Sequence, residues 1–257
     1  MKAMWSGSIE FGLVNIPVRL YSATEESELK LHMLDKKDMA NIRYKRVNAN
    51  TGKEVEWKNI VRAYKYDESY IVLDDKDFES AAAKKSQVIE VESFVNENEI
   101  QTTYYEKPYY VEPTKPGAHA YELFREALKD SKKVGVATFV FHNKEHLAIL
   151  KPEENVIVLN RIRFEQEIRN PGELNLPAKT DLKSKELEMA LLLIDQLTTN
   201  FDIKKYKDTY TDELMKVIKA KAKGTVIKPV KMKVVHTASG DLIKQLEKSL
   251  AAKKKAA

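Results

Sequence analysis

The sequence contains no cysteine in any of its 257 positions. That absence removes disulfides, thiolate metal sites and cysteine nucleophiles together. Glycine is scarce, at eight residues, and the eight are scattered. A glycine-rich loop that cradles phosphates therefore has no place to form. Neither the GxSxG of a serine hydrolase nor the HExxH of a zinc protease occurs. Long apolar runs are also missing. The longest is Met189–Ile194, far short of the roughly 20 residues a membrane span needs. The opening MKAMWSGSIEFG lacks the apolar stretch of a signal peptide. A soluble cytoplasmic protein without a membrane partner is expected.

What is present begins with charge. There are 44 Lys+Arg against 39 Asp+Glu, a formal net charge of +5. The excess is unevenly placed. Residues 221–257 hold ten lysines and only Asp241 and Glu247 as acids, so they carry +8 and the other 220 residues carry −3. A basic tail on a near-neutral body points to an anionic partner, most often nucleic acid. Apolar residues make up 43% of the chain, enough for a packed core.

Periodicity divides the chain. In the first 22 residues, Val14, Ile16, Val18 and Leu20 alternate with Asn15, Pro17, Arg19 and Tyr21, the period of one half-buried strand. Pro17 predicts that one edge of that strand is unpaired or bulged. Glu25–Tyr66 follows, rich in charge, with a turn cluster at Asn48–Gly52. Further strands are predicted at Tyr70–Leu73, Val88–Val95, Val134–Phe141, Leu147–Leu150 and Val156–Ile162. A short helix is predicted at Asp75–Ala83. A second is predicted from Ala120, Leu123, Phe124, Ala127 and Leu128. Many short strands with turns between them predict a barrel or a sandwich. Beyond Asn170-Pro171-Gly172 the period changes. Leu187, Ala190, Leu191, Ile194 and Leu197 form one helical face, and Tyr210, Leu214, Val217 and Ile218 form another. An arm of this kind must bury its apolar face on the body or on a partner chain. In the tail, Leu242, Ile243, Leu246 and Leu250 have helical spacing after Ser239.

Catalytic signals are weak. His142 and His146 have a zinc-binding spacing only if both lie on one helix, and here they bracket a predicted hairpin turn. Glu90 and Glu92 share a strand face, as the acids of a metal-dependent nuclease would, but alternating acids also mark a solvated face. Asp74, Asp75 and Asp77 suit a turn and helix start. The tyrosines of YYEKPYYVEP are more readily explained by packing than by stacking on bases. No metal, cofactor or catalytic group is expected.

Larger blocks carry a resemblance. WSGSIEFGLVNIPVRLYS (5–22), IRYKRVNANTG (42–52), IVRAYKYDESYIVLDDKDF (60–78), KPYYVEP (107–113), YELFREAL (121–128), KVGVATFVFHNKEHLAILKP (133–152) and GDLIKQLEKSLAAKKKAA (240–257) resemble, in order, the blocks of the prokaryotic Ku proteins. The resemblance implies a mixed, mainly β fold. It has a β-barrel core over 1–180, with an inserted DNA-encircling bridge at about 25–66. A helical dimerisation arm over 181–220 and a lysine-rich tail over 221–257 follow. It also implies a function. A ring-shaped homodimer binds ends of double-stranded DNA without reading sequence, and recruits an ATP-dependent DNA ligase for non-homologous end joining. The ring would act in the cytoplasm, on the nucleoid, and would not be an enzyme. On this basis Arg43, Lys45, Arg46, Lys53, Lys58, Arg62 and Lys65 are the expected phosphate contacts, about half of them pointing away because strand neighbours alternate. Lys253, Lys254 and Lys255 are accessory contacts. Leu187, Leu191, Ile194, Leu214, Val217 and Ile218 are the expected dimer contacts, and Leu242, Ile243 and Leu246 the ligase-docking element.

Overall fold

A computed structural model describes residues 1–81, 87–177, 184–225, 246, 247 and 249. The chain forms two compact units, Met1–Pro171 and Gly172–Ala257. The first is built on a closed seven-stranded barrel. Its strands are β1 (Trp5–Phe11), β2 (Val14–Ser22), β5 (Val88–Asn96), β6 (Tyr105–Pro113), β7 (Lys133–Phe141), β8 (Lys144–Glu153) and β9 (Val156–Ile162), and they close in the order β1-β2-β6-β9-β8-β7-β5. The neighbours are antiparallel except at the seam, where β1 and β5 run parallel with Ile9 opposite Ile89. Between β2 and β5 the chain leaves the barrel and forms the hairpin of β3 (Arg62–Tyr66) and β4 (Ser69–Leu73), then α1 (Asp75–Ala81).

The alternation in β2 follows the prediction from Ile16 onward: Ile16, Val18 and Leu20 are buried and Asn15 and Arg19 exposed, while Val14, at the strand's start beside the turn, is exposed against expectation. Pairing of β2 with β6 begins at Val18, just past Pro17, so the missing N–H costs no ladder bond. The start of the chain departs from expectation. It holds two strands, not one with a lead-in. Only Ile9 of β1 is fully buried, and the Ser-Gly-Ser run hides the apolar period. The β7–β8 turn is tighter than predicted. His142 and Asn143 alone form it, with φ of 51° and 61°, and the strands run to its edges. Such a two-residue turn matches the twist of a hairpin.

The helix α2 (Ala118–Ser131) packs on the barrel and adds Tyr121, Phe124 and Leu128 to its core. Its buried stripe is rotated from the predicted one. Leu123 is 67% exposed, while Tyr121 and Arg125 turn inward. Both inward residues have apolar stems whose polar tips find partners, so hydropathy undervalues them. The Arg125 guanidinium donates to the Glu154 carbonyl at 2.7 Å and to the Glu122 carboxylate at 2.6 Å, which pins the helix to the β8–β9 turn. The Tyr121 hydroxyl donates to the Val111 carbonyl at 2.8 Å and accepts from the Ile157 amide at 2.7 Å. Val111 and Ile157 are register partners on β6 and β9. Tyr121→Phe leaves both backbone groups buried without a partner, at about 1–3 kcal/mol each. Denaturant unfolding is expected to show a loss of at least about 2 kcal/mol. A loss under about 0.5 kcal/mol would mean that other groups take over both bonds.

A second apolar cluster covers the outside of the wall. Val134, Ile149 and Ile162 lie beneath Ile100, Tyr104 and Tyr105. Burial on both faces explains the unbroken apolar run Leu147–Leu150. In the second unit, α3 (Ser184–Leu197) and α4 (Thr209–Ala222) are the two predicted helices. Asp208 caps α4 by accepting from the Tyr210 amide at 3.0 Å and the Thr211 amide at 3.2 Å.

Candidate nucleic-acid interface

The charged insertion is held by local chemistry. Asn48 and Lys53 are joined by a backbone bond of 2.8 Å, as are Val55 and Arg46. Val47 bridges Glu54 in an antiparallel register. The Asn48 side chain accepts from the Asn50 amide at 2.9 Å and the Thr51 amide at 3.1 Å, and Gly52 adopts a φ of 66°. The predicted turn cluster therefore makes a short hairpin whose two strands both carry cations. Nearly every residue from 25 to 81 is solvent-exposed.

The seven predicted cations divide by what they touch. Lys45 pairs with Glu54 at 2.7 Å, and Lys58 pairs with Glu56 at 2.7 Å. Glu54 also holds the Lys45 ammonium above its ordinary pKa through this bond. Arg62 pairs with Asp75 at 2.6 Å and lies over the Phe78 ring at 3.9 Å. Arg46 lies over the Trp57 ring at 4.7 Å. Arg43, Lys53 and Lys65 have no acidic partner among the described residues. The ion pairs are exposed, so each is worth at most about 1 kcal/mol and yields readily to a phosphate. Side-chain parity puts the two cations of β3 on opposite faces. Arg62 lies on the hairpin face of Tyr64 and Ile71, while Lys65 lies on the face of Tyr70 and Val72.

Charge alone does not point to the aromatic residues of the insertion. Tyr44, Trp57, Tyr64, Tyr66 and Tyr70 are all exposed on the insertion. Their signal was available, because residues 43–65 interleave aromatics with seven bases and only two acids. In contrast, Tyr109 of the YYEKPYYVEP segment is buried against Phe141, as the packing reading expects.

The arm presents a second surface. Leu187, Leu191 and Ile194 of α3 are about half exposed or more. On α4, Leu214 and Val217 are half-buried and Ile218 is exposed. Met189 is buried and Leu193 half-buried, so α3 is apolar around more of its circumference than one stripe. Leu242, Ile243 and Lys253–Lys255 lie outside the described residues, while Leu246 is helical.

The catalytic alternatives gain nothing. Glu92 accepts from the Thr138 hydroxyl at 3.0 Å. Among the described residues no three His, Asp or Glu side chains are placed to hold a metal ion. His142 stands in the β7–β8 turn and His146 on β8, packed beside Phe139 and Phe141. Burial and the nearby Arg161 push the His146 pKa below its ordinary value. Arg161 in turn pairs with Glu106, holding that carboxylate below its usual range. Among the described residues, no helix is long and apolar enough to cross a membrane.

Together these features define a β-barrel protein with an exposed basic insertion and an exposed apolar arm. Comparison gives it a family. The family model described as the Ku70/Ku80 beta-barrel domain matches residues 10–189. The chain is 40% identical over 262 aligned residues to the non-homologous end joining protein Ku of Coxiella burnetii, covering 99% of this chain and 96% of that one. It is 39% identical to the protein of the same name from Bacillus subtilis, over 90% of this chain and 76% of that one. Identity to the Archaeoglobus fulgidus protein of the same name is 37%, over 88% of this chain and 90% of that one. The chain belongs to the Ku family. Members of that family are DNA-end-binding structural proteins and not enzymes.

Proposed function

We propose that two copies of this chain form a ring that threads onto a broken end of double-stranded DNA and holds it for non-homologous end joining. The observation that carries this reading is the insertion. It is solvent-exposed, with Arg43, Lys53 and Lys65 free of acidic partners among the described residues and four further cations in weak exposed contacts. A protein that accepts any break must grip phosphates, which hold register but carry no sequence information. The arm supplies the second requirement. Leu187, Leu191 and Ile194 with Leu214, Val217 and Ile218 form the contact between copies, which closes the ring. Selectivity for ends then follows from topology, since a closed ring is entered only from a free terminus. The segment at Leu242, Ile243 and Leu246 docks an ATP-dependent ligase, and Lys253–Lys255 add a secondary contact to DNA. The ring acts on the nucleoid, in the cytoplasm.

The test compares a linear duplex with relaxed closed circles of the same sequence. Linear DNA is expected to bind far more tightly. Affinity should fall with salt at a log–log slope of about −0.9 for each phosphate gripped. Equal affinity for circles would replace the ring with a general DNA-coating mode.

A further inference from the structure

We propose that Tyr44 and Trp57 on the insertion stack on unpaired bases of a single-stranded overhang at the DNA end. The inference rests on the end-binding reading above and gives that site a second ligand. Trp57 is 70% exposed and Tyr44 is 81% exposed. The Arg46 guanidinium lies 4.7 Å from the indole centroid, so one ring face is held by a cation–π contact while the ring stays largely open to solvent. The Tyr44 hydroxyl lies 3.4 Å from the Met33 sulfur, which steadies the ring at its edge.

Charge selects the occupant. Both acids between residues 43 and 65 are already taken, Glu54 by Lys45 and Glu56 by Lys58. Among the described residues, Arg43, Arg46 and Lys53 around the same turn have no acidic partner. Open aromatic faces among uncompensated cations suit a polyanion that also presents flat rings. A duplex does not meet that description, because its bases are hidden in the stack and a ring around it touches only backbone. An unpaired strand does, since every base offers a π-face whatever its sequence. Broken ends often carry such strands, so the same insertion would grip the duplex by its phosphates and the overhang by its bases.

The full-length chain supplies its own reporter. It has two tryptophans, Trp57 and Trp5, and Trp5 is anchored in the barrel by a 3.0 Å bond to the Val140 carbonyl. Duplexes of one length, blunt or with a short dT overhang, are titrated against intrinsic fluorescence and scored for affinity. Overhang DNA is expected to quench emission and to bind more tightly than blunt DNA. Trp57→Ala should lose roughly fivefold to a hundredfold on the overhang duplex and much less on the blunt one, where it only frees Arg46 from its ring contact. Trp57→Phe should keep most of the gain, and Tyr44→Ala should lose part of it. Equal loss on both duplexes, or no quenching of the unaltered chain by the overhang, would overturn the proposal. So would conversion of Trp57→Ala to a monomer, which would make this face a contact between copies. Failure of the unaltered chain to bind blunt linear DNA would instead remove the end-binding reading itself.

Discussion

A chain carrying Leu191→Glu and Ile194→Glu is expected to run as a 29.5 kDa monomer and to lose its grip on DNA ends. The two side chains are 56% and 62% exposed on α3. Leu187, Leu191, Leu192, Ile194 and Leu197 are all exposed on α3, and exposed apolar residues gathered on one helix are what the proposed contact between copies would cover. In a two-fold interface each residue is used twice, so the double change removes four apolar side chains and adds four like charges. At about 1.5–3 kcal/mol for each side chain buried, the loss is about 6–12 kcal/mol. That is comparable with the whole free energy of a nanomolar dimer, about 12 kcal/mol. On the proposed ring, a separated half would keep its own phosphate contacts and lose the avidity of two linked halves, so end affinity should fall by about 10²–10⁴. Barrel integrity is read separately from Trp5, which sits in the other compact unit. A double variant that remains dimeric moves the interface away from α3. One that is monomeric yet binds ends like the unaltered chain removes the ring.

The sequence disclosed local order well and long-range order poorly, for identifiable reasons. Ile16, Val18 and Leu20 announce β2 because each strand repeat depends only on near neighbours. The same holds for α3 and α4, and for the turn at Asn48–Gly52. The barrel's closure was not legible in that way. It joins β1 to β5 in parallel, across an insertion running from Ala23 to Gln87, and no periodicity reports such a pairing. Only the ordered blocks resembling Ku proteins implied a barrel over a sandwich. The cations of the insertion were found by counting charge, but counting does not reveal engagement. Lys45 meets Glu54 across a turn, and Arg62 reaches Asp75 beyond the β3–β4 hairpin. Leu123 shows the opposite failure, since an apolar residue in a clean helical period points outward while Tyr121 and Arg125 point in. The period located the helix, and the partners of polar tips decided its rotation.

Replacing Gly7 by alanine is expected to cost about 3 kcal/mol or more, because it strikes the barrel at its closing seam. The Ser8 amide donates to the Gln87 carbonyl at 3.0 Å, next to the parallel β1–β5 pairing. A Cβ at Gly7 would lie 2.8 Å from the Gln87 carbonyl carbon, and closer still to its oxygen and to the Trp5 ring. The indole shares that face of β1, and its Nε1 reaches the Val140 carbonyl on β7. Glycine thus lets the seam close and lets Trp5 lie flat enough to reach its partner. A flexible neighbour would step aside cheaply, but here one obstacle is backbone and the other is a ring fixed by a hydrogen bond and an edge-on contact with Phe139. The seam has few substitutes, since among the described residues β1–β5 is the only parallel pairing in the barrel and its register covers three residue pairs. In a unit of this size a loss of about 3 kcal/mol lowers the melting temperature by about 6–12 °C. Gly7→Ala should therefore melt well below a Ser6→Ala control on the same strand, with Trp5 emission shifted to the red as its ring loses Val140. A variant that melts within about 2 °C of the control would mean that β1 and β5 separate at little cost, leaving the barrel to be held by its antiparallel ladders alone.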